Sequence, residues 1–256
     1  MEHDMDPPID PPRDVIWSAG NHERCYTLGD KWFVKRQLYD EELPVSRDGR
    51  LIYPIWDSER LRNGYLATRF IRVHTDIPVQ DCRLFLENGL MCFASRQVLD
   101  AVPLEDVRPT LPLAALTAVE RQMERFILPQ LRQHHRSYIG SVGSTIPVFP
   151  PQRVYRKDGR DWAQVSSVAD AFVLCHNDLS GKNIWLDPTS FRIVAITGWE
   201  FAGYSPESFE LPLWRADGFV GRQEMHGRAL ARDLSFFGLR PSDLRNNYPI
   251  SYRRLG

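Results

Sequence analysis

His176, Asp178, Lys182 and Asn183 fall together in the segment Val173-Leu174-Cys175-His176-Asn177-Asp178-Leu179-Ser180-Gly181-Lys182-Asn183-Ile184. The pattern is HxDxxxxN on a loop between two apolar, strand-like runs, and its spacing suits phosphoryl transfer. A carboxylate at 178 can accept a proton from an attacking hydroxyl or orient it. The amide at 183 brings a neutral oxygen to a magnesium ion on nucleotide phosphates, and Lys182 can sit between them near the transferred group. The ordinary alternative is a turn capped by His, Asp and Asn, residue types that dominate turns. Lys35 is a further candidate: it follows the apolar triplet Trp32-Phe33-Val34 and precedes a helical pattern. An exposed lysine at a strand end is the plainer reading there.

The elements that would position these residues can be read from the pattern. Val15 to Trp17 and Trp32 to Val34 are apolar runs separated by Gly20, Asn21, Gly29 and Asp30, which predicts a hairpin followed by a polar loop with Pro44 and Gly49. Leu61, Tyr65, Leu66, Phe70, Ile71 and Val73 recur at helical spacing from Asp57 to His74, and Pro78 lies beyond as a stop. Runs at 83–86 and 90–95 flank Asn88-Gly89, a strong hairpin signal. Leu116, Val119, Met123, Phe126, Ile127 and Leu131 predict one long amphipathic helix over 113–138, kinked or broken at Pro129. Strands are predicted at 171–174, 184–186 and 192–196, and a helix around 222–237. Trp199, Phe201, Tyr204, Phe209 and Trp214 read as packing of the later half.

Composition narrows the function classes. The chain has 256 residues, with 32 Lys plus Arg against 33 Asp plus Glu and 43% apolar residues. A sizeable core is affordable at that length. The near-neutral balance and the lack of a basic stripe argue against general nucleic-acid binding. Apolar runs fall far short of the roughly 20 residues that cross a bilayer. The start is acidic and rich in Pro, without signal-peptide order, and reads as a disordered tail at 1–13 on a cytoplasmic protein. Cys25, Cys82, Cys92 and Cys175 are widely spaced with no CxxC pair, which fits reduced thiols. His134-His135 has no third ligand in sequence, so no metal site is expected there.

The order of these pieces resembles the aminoglycoside phosphotransferase and choline-kinase-like family, in particular its fungal branch. The resemblance runs from about Val15 to about Trp214 and rests on five pieces: Trp32-Phe33-Val34-Lys35, Glu59-Arg60-Leu61-Arg62-Asn63, Thr75-Asp76-Ile77-Pro78-Val79, the HxDxxxxN segment, and Ile193 through Gly198-Trp199-Glu200-Phe201 to Pro206. It implies an α+β, two-lobed protein-kinase-like fold, with a small antiparallel-sheet N-terminal lobe at 14–97 and a mainly helical C-terminal lobe at 98–256. It further implies ATP and Mg as cofactors and a small-molecule acceptor. In that frame Lys35 contacts the α and β phosphates, Asp178 is the catalytic base, His176 braces the catalytic loop and Asn183 is a magnesium ligand.

Two positions depart from the family pattern. Where the family has Ile-Asp-Trp-Glu, with the Asp holding magnesium, this chain has Thr197-Gly198-Trp199-Glu200. Where the family has Arg-Asn-Glu, with the Glu anchoring the phosphate-binding lysine, it has Arg62-Asn63-Gly64. Glu200, two residues from Gly198 at a strand end, is the candidate replacement for the metal carboxylate. The loop Ser18-Ala19-Gly20-Asn21-His22-Glu23 could cover phosphates or be an ordinary hairpin turn. Two functions therefore stand: an ATP-dependent phosphotransferase impaired by both glycines, or a pseudokinase binding a nucleotide or a protein partner without turnover.

Overall fold

The computed structural model describes residues 5–9, 15–143, 145–167, 169–245 and 250–254. Among the described residues the first half holds the strands and helix β1 (Val15–Gly20), β2 (Cys25–Gly29), β3 (Trp32–Arg36), β4 (Arg50–Pro54), α1 (Asp57–His74), β5 (Cys82–Glu87) and β6 (Leu90–Arg96). Five strands make one antiparallel sheet in the spatial order β1-β2-β3-β6-β5. The hairpin expected from Val15–Trp17 to Trp32–Val34 is thus a three-strand meander. β2 escapes the pattern because four of its five residues are half-buried, so no polar–apolar alternation marks it. The β5–β6 turn does follow its sequence. Asn88 (φ 50°) and Gly89 (φ 80°) both take the positive φ that a two-residue hairpin turn requires.

α1 occupies the span its periodicity predicts. Its N-terminal half presents Leu61 and Tyr65 to Leu84 and Phe93 of the sheet. Its C-terminal half sends Ala67 and Ile71 into the core of the following half, with Leu104, Met123, Ile127 and Leu174. One helix therefore belongs to both cores.

The second half contains β7 (Val102–Pro103), α2 (Leu104–Val107), α3 (Leu113–Gln122), α4 (Leu128–Arg132), β8 (His135–Arg136), β9 (Gly140–Ser141), α5 (Gln152–Tyr155), β10 (Phe172–Cys175), β11 (Ile184–Leu186), β12 (Ile193–Ile196), β13 (Gly203–Ser205), α6 (Gly218–Phe236) and β14 (Ile250–Arg254). α3 and α4 are joined by a π-helical turn, Met123–Ile127. Pro129 has no N–H to offer the carbonyl four residues back, and the widened turn directly before it is a recognised way to absorb such a break. The buried stripe Val119, Met123, Ile127, Leu131 runs through the interruption. The helix ends at Arg132 rather than continuing to 138, because His135 and Arg136 pair with Val173 and Phe172 of β10. Tertiary pairing overrides the local helical pattern there.

Two further boundaries differ from expectation. β14 pairs antiparallel with β4, so the last described strand joins the N-terminal half instead of the C-terminal lobe read as 98–256. Of the segment read as a disordered tail, residues 1–4 and 10–13 lie outside the described residues. Asp6 within it donates its N–H to Leu84 O (2.8 Å) and accepts from Leu84 N–H (3.1 Å). Trp199, Phe201, Tyr204, Phe209 and Trp214 are all buried, as packing residues should be. Among the described residues no helix is long and apolar enough to cross a membrane.

Candidate active site

The HxDxxxxN segment connects β10 to β11 and is buried along most of its length. His176 is its brace. Its Nε2–H donates to Thr197 O (2.8 Å), while its Nδ1 accepts the Asp178 N–H (3.2 Å). Both contacts require a neutral imidazole. Burial enforces that form, pushing the pKa down to about 4 against the opposing pull of Asp178. The ring also lies 4.3 Å, centroid to centroid, from Trp199. Asn177 takes a left-handed conformation (φ 63°) and ties the loop to the next segment through Phe201 O (2.9 Å).

Asp178 has both carboxylate oxygens engaged. Oδ2 pairs with Lys182 Nζ at 3.0 Å, and Oδ1 accepts the Ser180 hydroxyl at 2.9 Å. Asn183 donates its amide N–H to Asp178 O (2.8 Å), and its amide oxygen has no hydrogen-bond partner among the described residues. Gly198 lies against that amide. A Cβ built at Gly198 would sit 2.6 Å from Asn183 Oδ1, and the backbone there has φ +84°. Glycine is thus favoured at 198 by two local conditions, the left-handed backbone and the space taken by the Asn183 side chain.

Lys35 projects from β3 and pairs with Glu200, Nζ to Oε1, at 2.7 Å. The other Glu200 oxygen accepts from Arg24 Nη2 at 3.2 Å. Arg24, itself buried, pairs with Asp57 at 2.9 Å, and Arg60 pairs with Glu23 at 3.3 Å. This is one buried ionic network linking the β1–β2 turn, the start of α1 and the Trp199–Phe201 turn. Burial works to raise the pKa of Glu200, but Arg24, then Lys35 and Arg60, outweigh it and hold the carboxyl well below its ordinary range. Asp57 goes the other way, raised by burial in spite of Arg24 and Arg60.

Gly64 explains how Glu200 fits. A Cβ at 64 would meet Glu200 Cγ at 3.3 Å, so the helix surface is bare where the Glu200 side chain lies. The neighbouring Asn63 fixes the approach by donating to Glu200 O (3.0 Å) and Ala202 O (2.8 Å). Strand geometry would put Glu200 on the same side as position 198. Residues 199–201 form a 3-10 turn after a left-handed Gly198, so the period of two does not operate. Glu200 turns to Lys35 and Arg24.

A magnesium ion would find few free donors among these residues. Asp178 is held by Lys182 and Ser180, Glu200 by Lys35 and Arg24, and Gly198 contributes nothing, which leaves the neutral Asn183 oxygen. Magnesium is ordinarily held through one or two carboxylates plus substrate phosphates. No group of three or more metal-competent acidic, His or Cys side chains exists among the described residues. The donor set does not fit a protein-held magnesium ion.

The β1–β2 turn is closed on itself. Asn21 N–H donates to Arg24 O (2.9 Å), and the N–H groups of Glu23 and Arg24 both donate to Asn21 Oδ1 (2.8 and 2.9 Å). Three amides of this loop, those of Asn21, Glu23 and Arg24, are thus used within the turn.

Arg24, Asp57, Arg60 and Glu210 were not singled out by sequence reasoning. Asp57 and Arg60 carry a faint signal, an i,i+3 pair in the first turn of a helix. Glu210 carries none, yet it accepts hydrogen bonds from the backbone N–H groups of His176 and Asn177, and burial pushes its pKa up to about 7.

No protein-family model matches the sequence, and no curated protein matches it. Solved structures do match in three dimensions. The GDP and kanamycin complex of APH(2")-IIia superimposes with a TM-score of 0.53 at 13% identity, over 89% of this chain and 81% of that one. The streptomycin–ATP–APH(2")-IIa ternary complex gives 0.52 at 9% identity, over 92% and 84%. A thermostable mutant of aminoglycoside phosphotransferase APH(4)-Ia, with AMP-PNP and hygromycin B, gives 0.50 at 14% identity, over 89% and 80%. At such identities the likeness is one of fold, and the chain is built on the two-lobed, kinase-like α+β architecture of the aminoglycoside phosphotransferases.

Proposed function

We propose that the chain is an aminoglycoside-phosphotransferase-like domain that transfers the γ-phosphoryl of ATP, slowly, to a hydroxyl on a small molecule. Asp178 takes the hydroxyl proton as the oxygen–phosphorus bond forms and the bond to the β-phosphate oxygen breaks, releasing ADP. Lys35 binds the α and β phosphates, Lys182 neutralises charge near the transferred group, and His176 holds the loop. Asn183 offers its amide oxygen to whatever cation accompanies the nucleotide. The observation that carries this reading is the pairing of Lys35 with Glu200 at 2.7 Å beside an assembled Asp178–Lys182–Asn183 loop. Glu200 acts in it as the anchor of the lysine, not as a metal ligand. The loss of a carboxylate at Gly198 depresses turnover, because phosphoryl transfer depends on neutralising charge.

A second reading is a pseudokinase that holds a nucleotide or a protein partner without turnover; the self-satisfied Asn21–Arg24 turn favours its protein-binding form, since those amides are not free for phosphates. Thermal stability with ATP, with and without magnesium, separates the two when combined with a γ-phosphate transfer assay. Stabilisation by ATP with measurable transfer supports the enzyme, since a ligand bound only by the native state raises apparent stability. Stabilisation without transfer supports the pseudokinase, and neither effect removes nucleotide binding from both. The motifs from Lys35 to Pro206 support the fungal branch. The free state of Cys25, Cys82, Cys92 and Cys175 fits reduced thiols and a cytoplasmic location, where ATP is supplied.

A further inference from the structure

A cleft of about 460 Å³ opens beside Asp178, between the catalytic loop, α5 with the residues just after it, and one face of α6. Phe219, Arg222, His226 and Leu230 reach it from successive turns of that helix. The charge around it is one-sided. Arg153, Arg156, Lys157, Lys182 and Arg222 line the cleft together with a single carboxylate, Asp178.

Three of those cations already have counter-charges. Arg153 pairs with Asp233 at 2.5 Å, Lys182 with Asp178 at 3.0 Å and Arg222 with Glu105 at 2.6 Å. Arg156 and Lys157 do not. Both are exposed, adjacent in sequence, and make no side-chain ion pair among the described residues. The surplus is felt at His226. Burial first, and then Arg153, Arg156 and Arg222 against the pull of Asp178, push its pKa down to about 4, so the imidazole itself is neutral.

We propose that this cleft is the acceptor site and that its acceptor is an anion: a small hydroxyl compound bearing a carboxylate or phosphate, held by Arg156 and Lys157 with its hydroxyl toward Asp178. The reason is complementarity. An oxyanion gains charge-assisted hydrogen bonds from a guanidinium and an ammonium, and the excess positive field concentrates anions at the mouth. A polycationic amino sugar meets the same field as repulsion. Kanamycin and streptomycin, seen with the structural neighbours, are therefore the wrong charge class for this cleft. Transfer to the hydroxyl rests on the phosphotransferase reading above, whereas oxyanion binding does not.

The probe is inorganic phosphate, followed by the ³¹P line width in the presence of the full chain. Wild type broadens the resonance. Arg156→Glu combined with Lys157→Glu weakens binding at least tenfold with the melting temperature unchanged, since both side chains are exposed, and Lys35→Met retains it. Glycerate and glycerol 3-phosphate displace the phosphate, the stronger of the two naming the oxyanion, and kanamycin does not. Phosphate binding that survives the double charge reversal, or displacement by kanamycin at matched concentration, overturns the proposal. Failure of the functional reading looks different: ATP with magnesium then phosphorylates neither glycerate nor glycerol 3-phosphate, although phosphate binding and its loss in the double variant remain.

Discussion

Gly64 and Glu200 can be exchanged as a pair, and a double-mutant cycle on them tests whether Glu200 anchors Lys35. Glu200→Ala leaves Lys35, whose side chain is 18% exposed, without its carboxylate, while Arg24 keeps Asp57 at 2.9 Å. Breaking a buried pair typically costs about 3–5 kcal/mol. Because one of the two cations keeps a partner and the other is partly solvated, about 2–3 kcal/mol is expected here. Gly64→Glu alone gains roughly 0.5 kcal/mol of helix propensity. It also puts a Cβ 3.3 Å from Glu200 Cγ and a second carboxylate beside the first, so a net loss of about 1–2 kcal/mol follows. The double variant moves the anchor onto α1 and removes both the crowding and the like-charge pair. It should lie within about 1 kcal/mol of wild type, a coupling of at least about 2 kcal/mol. Urea denaturation of the four proteins at pH 7 measures it. A double variant equal to the sum of the singles refutes the shared anchor.

Gly198→Asp should lower the stability of the unliganded protein by about 1–3 kcal/mol, through positive φ and the displaced Asn183 amide; in exchange, stabilisation by ATP should become magnesium-dependent in a thermal shift assay. Asp178→Asn should reduce any γ-phosphate transfer at least about a hundredfold, with a melting temperature close to wild type and ATP binding retained. His176 and Glu210 give opposing pH slopes. The depressed His176 pKa (about 4, from 6.5) means that the unfolded chain binds more protons between those values, so stability falls as pH drops across that window. The raised Glu210 pKa (about 7, from 4.5) means the reverse, stability falling as pH rises from about 4.5 to about 7. Glu210→Gln should therefore steepen the acid-side loss between about pH 6.5 and 4.5, and urea midpoints superimposable on wild type across that range would count against it.

Local chemistry made part of this protein legible without coordinates. Asn88-Gly89 has to turn the chain because both residues take positive φ readily, and the Asp57–His74 periodicity has to present one apolar face. The HxDxxxxN spacing keeps Asp178 and Asn183 five residues apart on one loop, close enough for the Asn183 amide to reach Asp178 O at 2.8 Å. These features depend on neighbours in the chain. Glycine at 64 and 198 was equally plain, and only against the pattern of the resembled family does it read as a missing carboxylate.

What replaces an absent group depends on neighbours in space, and there the tertiary structure decided. Glu200 is 165 residues from Lys35 in the chain, and only the packing of α1 against the Trp199–Phe201 turn brings them to 2.7 Å. The left-handed Gly198 rotates Glu200 away from the side that strand alternation assigned it. His135 and Arg136 leave a helical pattern because β10 offers them strand partners, and β14 returns to β4 across most of the sequence. Sequence determines what each residue can do within a turn or two of backbone. Which distant charge it meets, and so whether Glu200 faces a cation on the protein or one on a nucleotide, is set by the burial of helix and sheet faces against each other.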